Sequence, residues 1–345
     1  MKLLALLFAL ALPMRITKDT TLPPNGVYHQ AVIIAASNVT LDCNGSTFIG
    51  DGVGVGILIQ YKNNVTLRNC KARGFDVGMY VVGGQNFVFE RNDFSGNYVD
   101  DNYAIEDLKP IPHGGMILNG IQSARVQSNT SNGNIAGIQI LNSEKIRVLQ
   151  NTTSRNRGWG IYLYGTTSSS VYTNTVEYNN RSCPQWGVDA GCGSAGIVLT
   201  QGSNRNSIGW NILNYDGDGI YQGNTPASAS NDNDIFVNQI GHSVANGIEA
   251  TFSLRNYIHN NTFTDDNYGG WFGYSQQFRF ENNVVRGAHV KSVQADNAQA
   301  SRYIGNTFDG ADVLLQPVQG GTCAGNAFDK NTLLNNAQIV TTGCQ

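Results

Sequence analysis

Val126-Gln127-Ser128-Asn129-Thr130, Tyr257-Ile258-His259-Asn260-Asn261-Thr262-Phe263 and Tyr303-Ile304-Gly305-Asn306-Thr307-Phe308 are three versions of one local pattern. The same Asn recurs as Asn129, Asn151, Asn174, Asn211, Asn238, Asn261, Asn283 and Asn306. The steps 129→151, 151→174, 238→261, 261→283 and 283→306 are 22, 23, 23, 22 and 23 residues. A period of roughly 20–25 residues is the mark of a solenoid, in which each repeat is one coil that cannot bury its apolar face alone.

A second column fixes the register. About nine residues after the Asn comes a Gly followed by apolar alternation, as in Gly137-Ile138-Gln139-Ile140, Gly160-Ile161-Tyr162-Leu163, Gly196-Ile197-Val198-Leu199, Gly219-Ile220-Tyr221 and Gly247-Ile248-Glu249. Alternation with a period of two marks a half-buried strand. The Gly is expected to supply positive φ at a corner. The Asn column is expected to face inward as an amide ladder, identical side chains bonding along the stack. No helical stripe of useful length appears after residue 20, so short strands stack in parallel and the fold class is all-β.

The chain has 345 residues, 41% hydrophobic and 14% charged, with forty glycines that serve turns. A solenoid can be one unit at this length because each coil touches only its neighbours. No linker divides it: residues 21–345 are expected to form one domain. Residues 1–20 begin with Lys2 and a short apolar run, which suits a secretory signal or an apolar cap on the open end. No other stretch is long enough to span a membrane. A net charge of −3 gives no general attraction to nucleic acid or to an anionic membrane. Six cysteines fit export; the spacing suggests Cys43–Cys70, Cys183–Cys192 and Cys323–Cys344, although six allow fifteen pairings. No spacing suggests zinc. The Asn-x-Ser/Thr sequons at Asn38, Asn64 and Asn151 arise from the ladder motif.

Two coils depart from the period. The steps 92→129 and 174→211 are both 37 residues, and in both the excess lies between the Asn and Gly columns. Two loops should therefore leave one edge, three coils or about 14 Å apart. Loops on a rigid scaffold are where function concentrates. The first runs from Tyr98 through Asp100, Asp101, Glu106 and Asp107 to His113; the second contains Trp186 and Asp189. They flank Arg157, Trp159, Tyr162 and Tyr164, aromatic candidates for contact with sugar rings.

Because side chains alternate, the residue two after the Gly should face solvent. This outward column reads Gln139, Tyr162, Val198, Tyr221, Glu249, Phe272 and Lys291, with Tyr164, Thr200, Thr251 and Tyr274 two positions on. Asp216, Asp218 and Asn246 precede the strands, and Arg286 and His289 follow later. Asp216, Asp218, Tyr221, Glu249, Tyr274, His289 and Lys291 thus form a candidate cleft, with Trp159, Tyr162, Tyr164, Tyr221, Phe272, Tyr274 and Arg286 as candidate substrate contacts. Asp and Gly are also turn residues, so Asp216 and Asp218 have a purely structural alternative.

The repeat, opening with Asn38-Val39-Thr40-Leu41-Asp42-Cys43-Asn44-Gly45-Ser46-Thr47-Phe48-Ile49-Gly50, resembles the right-handed parallel β-helix of the pectin-lyase-like superfamily, with NosD-type and mannuronan C5-epimerase-like repeats. The resemblance implies a single-stranded right-handed parallel β-helix of about 11–12 coils. That superfamily holds lyases, hydrolases, epimerases, esterases and proteins without catalysis. A β-eliminating lyase or a C5-epimerase needs a base for the proton α to a uronate carboxyl, plus a group that neutralises that carboxyl. Lys291 or His289 is the candidate base. Arg286, or a Ca²⁺ held by Asp216, Asp218 and Glu249, is the candidate neutraliser. Asn246-Gly247-Ile248-Glu249 and Lys291-Ser292 resemble segments of β-helix alginate lyases and chondroitinase B. Their Arg-x-His-Gly is here Leu315-Gln316-Pro317-Val318. A glycoside hydrolase would instead use two of Asp216, Asp218 and Glu249. Asn214-Tyr215-Asp216-Gly217 and Gly241-His242-Ser243 follow the order seen in polygalacturonases without their signatures; His242 and His259 read as structural. The expectation is a secreted or periplasmic protein acting on a uronic-acid polysaccharide. The hydrolase and a non-catalytic NosD-like accessory or surface adhesin are the alternatives.

Overall fold

A computed structural model describes residues 12–98, 100, 103, 105, 109–180, 193–223 and 225–344. Most of the 1–20 leader or cap, Asp101, Glu106 and Asp107 of the first loop, and Cys183, Trp186, Asp189 and Cys192 of the second lie outside these residues.

Three short strands per coil follow from the periodic pattern, and every strand pairs in parallel with its counterpart one coil on. The Gly column opens the strands of the first face, such as Ala136–Leu141, Trp159–Tyr164 and Ala195–Thr200. The second face carries Glu144–Leu149, Ser170–Tyr172 and Ser207–Gly209. The third carries Thr152–Ser154, Thr175–Glu177 and Ile212–Asn214. The result is an all-β parallel solenoid of about 13 turns, slightly more than the repeat count suggested. The solenoid begins early: Met14–Ile16, inside the segment left to a leader or cap, pairs with Val32–Ile34.

Aliphatic and aromatic side chains fill the interior in rows one coil apart. Ile138, Ile161, Ile197, Ile220 and Ile248 form one fully buried row. Rows of this kind let each coil bury its apolar side only against the coils above and below, which is why the period had to be kept.

The Asn column is the inward ladder. Asn151 donates from Nδ2 to Asn174 Oδ1 at 3.0 Å and to Val126 O at 2.9 Å, while its N–H donates to the same Oδ1 at 2.8 Å. The same set recurs at Asn129, Asn174, Asn211, Asn238, Asn261 and Asn283. The residue before each of these carries the left-handed backbone: Ser128, Gln150, Thr173 and Trp210 have φ between 55° and 56°. The ladder extends to a disulfide. Cys70 and Cys43 stand in the column one and two coils before Asn92, are bonded to each other, and Cys70 N–H donates to Asn92 Oδ1 at 3.0 Å. Cys323–Cys344 closes the other end as expected.

The Gly column has a different cause from the one expected. Gly137, Gly160, Gly196, Gly219 and Gly247 do not have positive φ; they are glycine because nothing larger fits. A Cβ on Gly160 would lie 2.6 Å from Gly196 O and 2.9 Å from Asn179 Nδ2. A second interior Asn ladder packs across these bare Cα atoms: Asn97, Asn134, Asn156 and Asn179 follow one another through bonds of 2.7–3.1 Å.

Candidate functional site

The first face is the outward side of the Gly-column strands, and its register corrects two assignments. The strand Tyr268–Trp271 takes Gly269, not Gly270, as its column Gly, because Asn246 pairs with Tyr268 and Glu249 with Trp271. The outward row is therefore Tyr221, Glu249, Trp271 and Gln294. Phe272 points into the core, where its ring passes over Gly270 and fills the space an Ile occupies elsewhere. A slip of one residue reverses the face. Lys291 sits three residues before the outward Gln294, in the row of Asn246 and Tyr268, and its Nζ lies 3.2 Å from Asp312 Oδ2, toward the C-terminal coil.

The central part of this face is roofed. Ile111, Trp159, Tyr162, Ala195 and Val198 form a buried apolar cluster, against which Tyr98, Tyr103 and Ile105 of the first loop pack. The Gln139 amide pins the loop: it accepts from Ile111 N at 2.9 Å and donates to Ile111 O at 2.7 Å. Arg157 donates to the carbonyls of Asp100, at 3.1 Å, and Tyr103. Tyr162 is wholly buried, its hydroxyl 2.9 Å from Thr200 Oγ1, and Trp159 is buried beside it. Neither is an open sugar platform; the loop that was expected to stand beside them lies over them. Tyr164 is only half-buried at the edge.

Where the roof meets the N-terminal coils it leaves a groove of about 380 Å³ lined by Asp76, Val77, Tyr80, Pro110, Ile111, Pro112, His113, Ile117 and Leu141. His113 is its polar centre. Its ring stacks on Tyr98 with centroids 3.8 Å apart and planes 6° from parallel. Its Nδ1 is shut off from solvent without a hydrogen bond and lies 3.8 Å from Asp76 Oδ1. Asp76 Oδ2 is held by Gly54 N–H at 3.0 Å. Partial burial and the Asp100 carboxylate raise the Tyr98 phenol above its ordinary range. Sequence reasoning named His113 only as a loop end and missed Asp76 and Tyr80. Pairing Val77 with Gly114, as the Gly columns allow, places Asp76 directly below His113.

On the other side of the roof, Asp218 and Glu249 meet at Asn246. Asn246 Nδ2 donates to Asp218 Oδ1 at 2.8 Å and to Glu249 Oε2 at 3.0 Å, and its N–H donates to Asp218 Oδ1 at 2.9 Å. The two acceptor oxygens are therefore less than about 6 Å apart. Tyr221, Tyr268 and Trp271 stand around them on the same face.

The remaining candidates are dispersed. Asp216 belongs to the interior: it continues the second ladder, Oδ1 accepting from Asn179 N at 2.8 Å and Nδ2 at 2.9 Å, with Oδ2 buried and unpartnered. Burial pushes its carboxyl well above the usual carboxylate range. Its side chain is thus on the wrong side of the wall to join Asp218 and Glu249 in a Ca²⁺ site. Arg286 lies on the third face, in register with Thr264 and Asp309. His289 is exposed between the third and first faces, and Tyr274 stacks on Phe252 at a corner.

With this geometry in place, comparison with known proteins is informative. Residues 25–176 match the family described as right handed beta helix region, and residues 192–343 match that described as periplasmic copper-binding protein (NosD). Between them these matches span most of the solenoid: the chain is a right-handed parallel β-helix repeat protein. The A-module of the Azotobacter vinelandii mannuronan C-5 epimerase AlgE6 superposes with a TM-score of 0.56 at 13% identity, over 93% of this chain and 91% of that one. The Streptococcus pneumoniae surface protein and adhesin PfbA gives 0.53 at 11% identity, over 95% and 90%. The Dettilon tailspike protein gives 0.56 at 17% identity, over 94% and 60%. At these identities the likeness concerns the fold. No curated protein matches. Copper does not fit the described residues: no three His, Cys, Asp or Glu converge among them, and Cys43, Cys70, Cys323 and Cys344 are consumed in disulfides.

Proposed function

We propose that this is an extracytoplasmic, polysaccharide-active β-helix enzyme that removes the proton α to a uronate carboxyl, as a lyase or C5-epimerase. The observation that carries this reading is the His113–Asp76 pair at the mouth of the groove. Proton abstraction needs a base oriented by a second group and open to substrate on its other edge. The buried His113 Nδ1 faces Asp76, so the opposite edge of the ring, at Nε2, is the one substrate meets. Tyr98, stacked face to face against the imidazole and keeping its proton, would support the ring. Two disulfides among the described residues suit export. Alginate epimerases and an alginate lyase share this fold, which supports the polymer class.

The test is absorbance near 232 nm during incubation with a panel of polyuronates. The described lining of the groove offers no Lys or Arg for the substrate carboxylate, so the assay is run with Ca²⁺ and with EDTA. Unsaturated uronate formed by the wild type and lost in His113→Asn supports the lyase. Proton exchange at C5 without absorbance supports the epimerase. Silence in both leaves the binding protein or adhesin.

The glycoside hydrolase is a second reading, favoured by one observation. Asp218 and Glu249, joined through Asn246 with acceptor oxygens less than about 6 Å apart, lie closer than the roughly 6.5–9.5 Å of an inverting pair, as a retaining pair would. Reducing ends released without absorbance, and lost in Glu249→Gln, would select it.

A further inference from the structure

The third face carries a notch that the chemistry above does not use. Glu177, Asn214, Gly241, Thr264 and Arg286 form one outward row, a residue per coil. Gly241 leaves that row without a side chain, and the opening, about 300 Å³, is lined by Asn214, Gln239, Gly241, His242, Thr262 and Thr264. One wall is His242, which ends a stack of rings at the adjoining corner. Tyr178 and Tyr215 lie 4.8 Å apart and Tyr215 and His242 4.6 Å, all within 9° of parallel. Tyr178 and Tyr215 are 41% and 39% exposed, and Ile212 on the same strand row is 39% exposed.

The lining selects a ligand class. Two amides and two hydroxyls supply donors and acceptors at close spacing, and no formally charged side chain lines the floor apart from the titratable His242. The rim bears Glu177, Asp265 and Asp309 against Arg286 and against Arg155, which lies 5.5 Å over the Tyr178 ring, so it carries no cationic excess to attract a polyanion. Hydroxyls and an apolar ring edge, without charge, are what a neutral sugar presents. We propose that this notch is an accessory binding site for a neutral glycan, separate from the groove at His113 and on a different face of the solenoid. It goes beyond the catalytic reading and stands or falls without it.

The test is affinity electrophoresis of the full chain in gels containing hydroxyethylcellulose, galactomannan or dextran, with alginate and polygalacturonate as acidic comparators. At least one neutral polymer should retard the wild type. Tyr215→Ala and Thr264→Glu, both surface changes checked by thermal melting, should each weaken that retardation at least fivefold, while His113→Asn leaves it unchanged. The proposal is overturned if no neutral polymer retards the protein, if both notch variants keep full retardation, or if His113→Asn abolishes it. Concentration-dependent sedimentation lost in the same two variants would assign the notch to a second copy of the chain and overturn it equally.

Discussion

Asn179 directs both its backbone N–H and its side-chain Nδ2 at one oxygen of Asp216, and the other oxygen of Asp216 has no partner. In the coils before, the equivalent atom is an amide nitrogen: Asn156 Nδ2 donates to Ser131 O and Asn179 Nδ2 to Thr153 O. Asp216 thus stands where a donor belongs. Only its protonated form can donate there, in keeping with the upward shift that burial imposes. Asp216→Asn should complete the ladder and stabilise the protein at pH 8 by about 1–3 kcal/mol. Urea denaturation would read this as a higher midpoint with an unchanged slope.

Asp266 repeats the arrangement two coils on. Its Oδ1 accepts from Ser243 N–H at 2.8 Å, its Oδ2 is unpartnered, and burial raises its carboxyl to about 7. An unfolded Asp releases its proton near pH 4. Between pH 4 and 7 the folded state therefore binds more protons, and stability falls as pH rises through that window. Denaturation midpoints of the wild type should decline from pH 4 to 7, and Asp266→Asn should flatten the decline. Parallel pH profiles for the two proteins would refute this.

Asn151→Leu and Asn174→Leu each strand two donors in the coil before and leave a backbone carbonyl without its amide donor. Without Asn174 Oδ1, for instance, Asn151 loses the acceptor of both its N–H and its Nδ2. At about 1–3 kcal/mol for each buried group left unpaired, either variant should lower the thermal midpoint by several degrees. Unchanged melting in both would reject the ladder as a source of stability.

For a base oriented by a carboxylate, loss of base and loss of orienter differ in size. His113→Asn should reduce turnover by about 10²–10⁴. Asp76→Asn should reduce it less and alter the pH–rate profile, because the imidazole keeps its place over Tyr98. Equal loss in both with an unaltered profile would assign Asp76 a purely structural part.

The Cys43–Cys70 bridge closes a 27-residue separation. By loop entropy its removal in the Cys43→Ala/Cys70→Ala variant costs about 3–4 kcal/mol. Cys70→Asn paired with Cys43→Ala should lose less, since an Asn at 70 can bond to Asn92 as the next rung. Hydrogen exchange in the first three coils would report the difference.

The fold was legible because its determinants repeat. A ladder Asn and a Gly at fixed spacing state the coil length many times over, and an error in one coil is corrected by its neighbours. The site was less legible because it lies where the repeat fails. Tyr162 read as exposed from alternation and Trp159 as a sugar contact from its place between the loops, but burial by the first loop depends on Gln139 and Arg157 holding it down, contacts that no periodicity encodes. Phe272 was assigned to the wrong side because Gly269 and Gly270 are adjacent and either could start the strand. Asp216 read as a surface acid because its place in a second ladder appears only when Asn97, Asn134, Asn156 and Asn179 are aligned with it.

The roof pinned by Gln139 has a further consequence for how a long polymer meets the protein. A straight chain laid along the solenoid axis from the N-terminal end would pass Tyr80 and His113 and then strike the loop that covers Trp159 and Tyr162. The trough is closed at one end. Such a groove accommodates a chain terminus or a sharp bend more readily than the middle of an extended strand, so the activity proposed above would act on units from one end rather than by random internal attack.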